Sequence, residues 1–224
     1  PNPHAAKTTA VKTVELIHMV GNDTLLQNLE NGSVDYLYSD LRDGAIPRTA
    51  VKSATVDLTR LVYIGVNSGR EPLSAPTVRQ AFSKALDRTS IAASAYTGRA
   101  LPATSPFHPN WRPASGLTVA AAAADSAAVA TLLQTVQTEP TADTPADTGA
   151  ETAATTTAAA ALPADLTLIY PAGNSCREAA VKMVIKQMAH SGITVTAVPL
   201  SFADYQQRLA EGNYDLYIGE IALA

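Results

Sequence analysis

VRQAFSKALDR, residues 78–88, preceded by the strand-like LVYIGVN of residues 61–67, is the stretch on which the reading of the fold turns. Val78, Ala81, Phe82, Ala85 and Leu86 fall at i, i+3, i+4, i+7 and i+8, which is one face of a 3.6-residue helix. Arg79, Lys84 and Arg88 then point elsewhere. Pro76 suits the first turn, where its missing N–H costs nothing. Asp87 is placed to accept backbone N–H bonds at the start of a second short helix through Ile91 and Tyr96, which Gly98 ends.

The same alternation of strand and helix extends outward on both sides. Residues 12–20 have a strand-rich composition, with Val14, Leu16 and His18 on one face and Glu15, Ile17 and Met19 on the other. Asn22 or Asp23 is expected to cap a helix carrying Leu25, Leu26 and Leu29, Gly32 to stop it, and residues 34–38 to return as a strand. Toward the other end, residues 166–170 form a short apolar strand, and Ser175 with Glu178 suggests a capping box. The helix that follows presents Ala180, Val181, Val184, Ile185 and Met188 on one face and ends at Gly192. Residues 193–198 are the next strand. Ser201 and Asp204 open a helix bearing Phe202, Tyr205 and Leu209, which Gly212 closes before a strand at 214–218. Strand, helix, strand units of this kind build parallel sheets. In both parts a helix-ending glycine is followed three residues later by an aspartate, Gly32 to Asp35 and Gly212 to Asp215, which reads as a recurring helix-to-strand turn.

Between these parts the composition changes. No lysine or arginine separates Arg112 from Arg177, and residues 138–161 are almost entirely Ala, Thr, Pro, Asp, Glu and Gly. Such a segment lacks the bulky apolar groups that offset ordering entropy, so a solvated loop is expected there. Just before it, Asp125 is expected to cap a helix that buries Val129, Leu132 and Leu133.

With 224 residues, 46% of them hydrophobic, the chain is able to bury a real core. A net charge of -4 supplies no basic footprint, so neither nucleic acid nor an anionic membrane surface has electrostatic support as a partner. The single cysteine, Cys176, has no internal disulfide partner and sits at an expected helix start. No run approaches the roughly 18 apolar residues of a membrane span. Serine-nucleophile elbows, Ser-x-x-Lys, His-Glu-x-x-His and phosphate-loop patterns are absent, and His4, His18, His108 and His190 stand at spacings that make no metal-ligand pair. No enzyme, metal site or cofactor is expected.

Several ordered features resemble one family. The edge strand ending in Asn67, the loop with Pro72 and Pro76, the Arg-x-Ala…Ala-Leu-Asp-Arg run and the Gly98 turn are similar to those of extracellular solute-binding protein family 5. These proteins serve peptide and nickel importers of the ATP-binding-cassette (ABC) type. Asn2-Pro3 looks like the end of that family's Asn-Pro-x-Tyr-Trp stretch, although His4 and Ala5 replace the aromatic pair. Residues 11–41 and 193–220 match its strand and helix passages, and residues 124–135 resemble its Ala-x-x-Leu-Leu helix, after which the low-complexity insertion replaces a short glycine turn.

The resemblance implies an α/β fold, a periplasmic-binding-protein-like type II lobe with a mixed sheet flanked by helices. Residues 1–136 and 165–224 would be two parts of one lobe, with 137–164 as a low-complexity Ala/Thr-rich loop. It implies the substrate-binding component of an ABC importer, here an excised piece covering mainly the C-terminal lobe. Peptides or a similar small solute would be captured for a membrane permease. The whole protein would be extracellular or periplasmic, membrane-anchored as a lipoprotein and monomeric. In the family a carboxylate that pairs with the peptide amino group lies shortly beyond the Tyr-Asp strand, so the chain alone is expected to bind solute weakly. A ligand-sensing domain of a signalling or transcription regulator is the alternative, and an enzyme ranks third.

Read from the residues themselves, the candidate ligand-binding set is Tyr63, Asn67, Phe107, His108 and Trp111. Tyr63 and Asn67 are near a strand end, where open α/β sheets place their crevices, and the others follow in a loop with Pro106 and Arg112. Phe107 and Trp111 would serve equally well as covers for the lobe's core. Arg79 with Asp87 or Asp57 is expected to be a structural ion pair.

Overall fold

A computed structural model describes residues 11–38, 49–54, 56, 58–107, 123–138 and 165–223. Its elements in chain order are α1 (Asn22–Glu30), β1 (Arg60–Val66), α2 (Pro76–Lys84), α3 (Arg88–Ala95), α4 (Ser126–Thr138), β2 (Leu166–Pro171), α5 (Ser175–His190), β3 (Val195–Leu200), α6 (Phe202–Glu211) and β4 (Leu216–Ala222). The strands form one mixed sheet in the order β1-β4-β2-β3. β4 and β3 run parallel to β2, whereas β1 pairs antiparallel with β4. Both parallel connections carry a helix, α5 between β2 and β3 and α6 between β3 and β4, as chain geometry requires.

The periodicity of residues 78–86 is realised in full: Val78, Ala81, Phe82, Ala85 and Leu86 are all buried. They pack with Val181, Val184 and Met188 of α5 against Leu166, Leu168, Leu216 and Ile218 on one face of the sheet. α4 lies against α2 and α3 against α5, and the expected face of α4 places Val129 in the core with Leu132 and Leu133 beside it. α6 crosses the opposite face, against β2 and β3. Caps act where short polar side chains accept orphan amides: Asp87 from Ser90, Asp125 from Ala128, and Ser201 from Asp204. Gly212 takes the left-handed conformation (φ 67°) that ends α6.

Several expectations are corrected. Residues 12–20 and 34–38 form no strand; Val14 is 76% exposed, Leu16 93% and Tyr36 78%. Their alternation suits a sheet face, but a strand needs a hydrogen-bonding neighbour, and among the described residues neither edge, β1 or β3, accepts them. His18 therefore lies in irregular chain. Gly21, not Asn22 or Asp23, stands at the N-cap of α1. The cap of α5 is Asn174, whose Oδ1 accepts from the amide of Arg177 at 2.8 Å, with Glu178 accepting from Gly173. The capping pattern is thus shifted one residue from Ser175. Arg79 does not pair with Asp87. Its guanidinium donates to the carbonyls of Leu73 and Ser74, tying down the turn before α2. Asp57, residues 2–5 and the 139–164 insertion lie outside the described residues, and α4 continues through Thr138.

The two sequence-distant parts meet at Asp215, whose residue is 8% exposed. One carboxylate oxygen accepts from the Thr167 amide of β2 at 2.8 Å, and the other from Arg70, also at 2.8 Å. The Asp215 backbone bonds to Thr167 on one side and to the amide of Asn67 on the other. Asn67 donates its side-chain amide to the carbonyls of Gly212 and Tyr214. Asp215→Ala leaves the Thr167 amide without its charged acceptor, and urea unfolding should register a loss of roughly 1.5–3 kcal/mol. Arg70→Ala removes a half-exposed partner and should cost under about 1 kcal/mol in the same assay.

Candidate functional site

The tripeptide Tyr-Ile-Gly occurs twice, at 63–65 in β1 and at 217–219 in β4. The antiparallel register sets Tyr63 opposite Gly219, Ile64 opposite Ile218 and Gly65 opposite Tyr217. Alternation turns both isoleucines toward the core and both tyrosines to the other face. Each ring lies across the opposing glycine. A Cβ on Gly65 would stand 2.0 Å from the Tyr217 ring, and one on Gly219 2.4 Å from that of Tyr63. The rings meet edge to face with centroids 5.8 Å apart, their hydroxyls 3.4 Å apart. Tyr214 adds a second edge-to-face contact to Tyr217 at 5.4 Å.

These rings floor a cleft of about 860 Å³ walled by Tyr205, Phe202 and Leu209 of α6. Tyr205 is fixed by donating its hydroxyl to the Ile218 carbonyl at 2.7 Å. The cleft extends to the carboxyl ends of β2 and β4, reaching Pro171 and residues 219–222. There Glu220 accepts from two guanidiniums, that of Arg60 at the start of β1 and that of Arg177 in the first turn of α5, the latter at 3.0 Å. Arg177 also donates to the Pro171 carbonyl at 3.3 Å, joining α5 to the end of β2. The site is therefore aromatic along its floor and charged at one end.

Burial, with the nearby Tyr63 hydroxyl adding to it, raises Tyr205 to about 12. The hydrogen bond with Tyr63 and then burial raise Tyr217 further. Burial likewise raises the Cys176 thiol, which is buried beside α5's cap. Tyr205 and Tyr217 thus stand in the cleft as neutral phenols at ordinary pH. No group of three or more His, Cys, Asp or Glu side chains able to hold a metal occurs among the described residues.

Of the candidate ligand residues, Tyr63 lines the cleft. Asn67 does not: because β1 is antiparallel, it sits at the amino-terminal end of β4, and its side chain is bonded within the turn there. Phe107 is 43% exposed and is not among the residues that line the cleft, and His108, Trp111 and Arg112 lie outside the described residues. Sequence reasoning missed Tyr205, Tyr214, Tyr217, Arg60, Arg177 and Glu220. The repeated Tyr-Ile-Gly was the available signal, since a tyrosine two residues from a glycine on each of two paired strands lets rings and gaps interlock.

A mixed sheet covered on both faces, with an open cleft at the carboxyl ends of its parallel strands, defines a periplasmic-binding-protein-like type II lobe. Residues 1–223 match the middle portion of the bacterial extracellular solute-binding proteins, family 5, and the chain belongs to that family. A sequence search of curated proteins found no match. Among solved structures, the ABC transporter substrate-binding protein CtaP of Listeria monocytogenes is similar with a TM-score of 0.62 and 19% identity, over 89% of this chain and 38% of that one. The oligopeptide-binding protein AppA of Bacillus subtilis, solved with a nonapeptide, aligns at 0.58 and 23% identity over 75% and 32%. NikA of Brucella suis, solved with Fe(III)-EDTA, aligns at 0.57 and 18% over 74% and 31%. At these identities the likeness is one of fold, and the chain spans about a third of the length of these proteins. Among the described residues no helix is long and apolar enough to cross a membrane.

Two outcomes test the geometry. Gly219→Ala should destabilise the protein by about 1–3 kcal/mol by forcing the Tyr63 ring aside, and be neutral or stabilising in a Tyr63→Ala background; denaturant unfolding of the four proteins reads the coupling. Alkaline pH supplies the second. An unfolded tyrosine loses its proton near 10 while folded Tyr205 keeps its own to about 12, so the folded state binds more protons in that window and stability falls as pH rises through it. Unfolding measured from about pH 9 to about pH 11 should show this decline, with a shallower slope for Tyr205→Phe.

Proposed function

We propose that this chain forms one lobe of the substrate-binding component of an ABC importer, capturing peptides or a similar small solute for a membrane permease without catalysis of its own. The observation that carries the reading is the tyrosine-floored cleft at the carboxyl ends of β2 and β4 in a family 5 chain. Its volume falls in the range of small-molecule sites. Rings give a peptide apolar area in whatever side chains it carries, and closure over them reports occupancy to the permease. The peptide seen with AppA favours this class of solute.

Residues 1–136 and 165–224 are proposed as two parts of this lobe, with 137–164 as a spacer loop. Tyr63, Tyr205, Tyr214 and Tyr217 would contact the solute, and Phe107, His108 and Trp111 would approach it from the loop after α3. Asn67 serves the turn between α6 and β4. The whole protein would act as a monomer outside the cytoplasmic membrane, held to it as a lipoprotein, with no cofactor and no nucleic-acid partner.

Isothermal titration and thermal shift of the full-length protein against short peptides test this reading. A bound peptide at about 100 times its Kd should raise stability by about 2.7 kcal/mol. Tyr217→Ala should weaken binding roughly tenfold or more, the loss of a central aromatic contact. Absence of any peptide-dependent shift, or undiminished affinity in Tyr217→Ala, overturns it.

A further inference from the structure

Eight asparagines occur in the chain, and Asn31 alone precedes a glycine. The pairing matters because a backbone amide nitrogen is able to attack the side-chain carbonyl of the residue before it, and a β-carbon on the attacking residue obstructs the approach. Asn31 is the C-cap of α1, and Asn31, Gly32 and Ser33 are all exposed. Gly32 has a φ of 78°, and the space where a Cβ would stand is open. The Asn31 Oδ1 accepts from the Ser33 amide at 2.9 Å. That bond spans the Gly32 peptide, keeps the carboxamide beside the Gly32 nitrogen and polarises its carbonyl. The Gly32 amide itself reaches the Leu29 carbonyl at 3.3 Å, long for a hydrogen bond. Asn67 and Asn174 precede serine, also a small residue, but the fold holds both. Asn67 donates to the carbonyls of Gly212 and Tyr214, and Asn174 is 7% exposed with its Oδ1 on the Arg177 amide.

We propose that the Asn31-Gly32 turn is a site of spontaneous deamidation through a cyclic imide. Hydroxide takes the Gly32 amide proton, and the nitrogen forms a bond to the Asn31 Cγ. The Cγ–Nδ2 bond then breaks, and Nδ2 takes a proton from water and leaves as ammonia, which returns the hydroxide. The Ser33 amide donates to the oxygen on which negative charge develops during the attack. Water opens the ring at either carbonyl. Addition at the side-chain carbonyl breaks the new bond and leaves an aspartate. Addition at the main-chain carbonyl breaks the Asn31–Gly32 peptide bond and leaves an isoaspartate, with the chain running through Cγ. Either product puts a carboxylate in place of a neutral amide at the C-terminal end of α1. The helix dipole disfavours negative charge there, and no basic residue stands in the last turn to offset it. The modification therefore works against the end of α1.

The test ages the full-length protein in heavy-oxygen water at neutral and at mildly alkaline pH, digests it, and follows the peptides carrying Asn31, Asn67 and Asn174 by mass spectrometry. The Asn31 peptide should gain the mass difference between amide and acid together with one heavy oxygen, resolve into two isomers, and convert faster at the higher pH. The Asn67 and Asn174 peptides should stay amides over the same time. Gly32→Ala, which meets no neighbouring atom, should slow the conversion roughly tenfold or more by crowding the nucleophile. Unfolding in urea should speed Asn67 and Asn174 and leave Asn31 nearly as it was, since the folded chain holds the first two and not the third. Hydrogen exchange of the aged protein should be faster in the last turn of α1. If Gly32→Ala disturbs the turn, the comparison of the three asparagines within the unaltered protein still decides. An Asn31 that remains an amide, conversion of Asn67 or Asn174 at the same rate, or an Asn31 that accelerates on unfolding as much as they do overturns the site.

Discussion

The buried carboxylate of Asp215 is the constraint on which the rest of this lobe depends. It bonds to an amide 48 residues away in β2 and to a guanidinium 145 residues away in the loop after β1. Contacts at such separations carry a large loop-closure cost, so they must be geometrically specific to be worth forming. These are. Bonding Asp215 to Thr167 fixes Leu216 beside Leu168, and bonding Asp215 to Asn67 fixes Leu216 opposite Val66. One buried side chain thus sets the register of the central strand against both neighbours.

Register decides chemistry here because strand side chains alternate. A slip of one residue on β4 would turn Tyr217 into the aliphatic core and Leu216 into the cleft. In the observed register the aliphatic side chains of Ile64, Leu168, Leu216 and Ile218 face α2 and α5, and the tyrosines face the cleft. The two Tyr-Ile-Gly segments then interlock, each ring filling the space that the other strand's glycine leaves open. Glycine in a strand ordinarily weakens it. Here its missing side chain is replaced by a ring from across the ladder, so the aromatic floor and the sheet's continuity are one arrangement.

Much of this was legible beforehand, for a physical reason. The helix face at 78–86, the caps at Asp87, Asp125 and Ser201, and the β2–α5–β3–α6–β4 succession are local patterns that burial and backbone bonding reward wherever they occur. Ordered together they also pointed to the right family. What stayed hidden was nonlocal. Alternation at 12–20 shows that a segment is able to be a strand, whereas pairing depends on a neighbour that local sequence does not specify. The direction of β1 was equally unreadable, and it decides that Tyr63 lies over the cleft while Asn67, four residues on, is bonded into a turn at the other end. Arg79 followed the same logic: its charge suggested a carboxylate partner, but two turn carbonyls lay within reach of its fork.

The cleft combines two kinds of side chain that the sheet keeps apart. Tyrosine faces accept many apolar shapes because their attraction is broad in angle and carries little positional information. Guanidinium forks do the opposite, accepting few groups in few orientations. β1 contributes to both, with Arg60 and Tyr63 three residues apart, and β4 does likewise through Tyr217 and Glu220. The pair β1–β4 therefore carries an aromatic surface that passes into a charged end. Arg177 completes that end from α5, whose start is fixed by the Asn174 cap and whose buried face is locked by Val181, Val184 and Met188. Packing on the hidden side of the sheet thus sets where the charged groups stand on the open side.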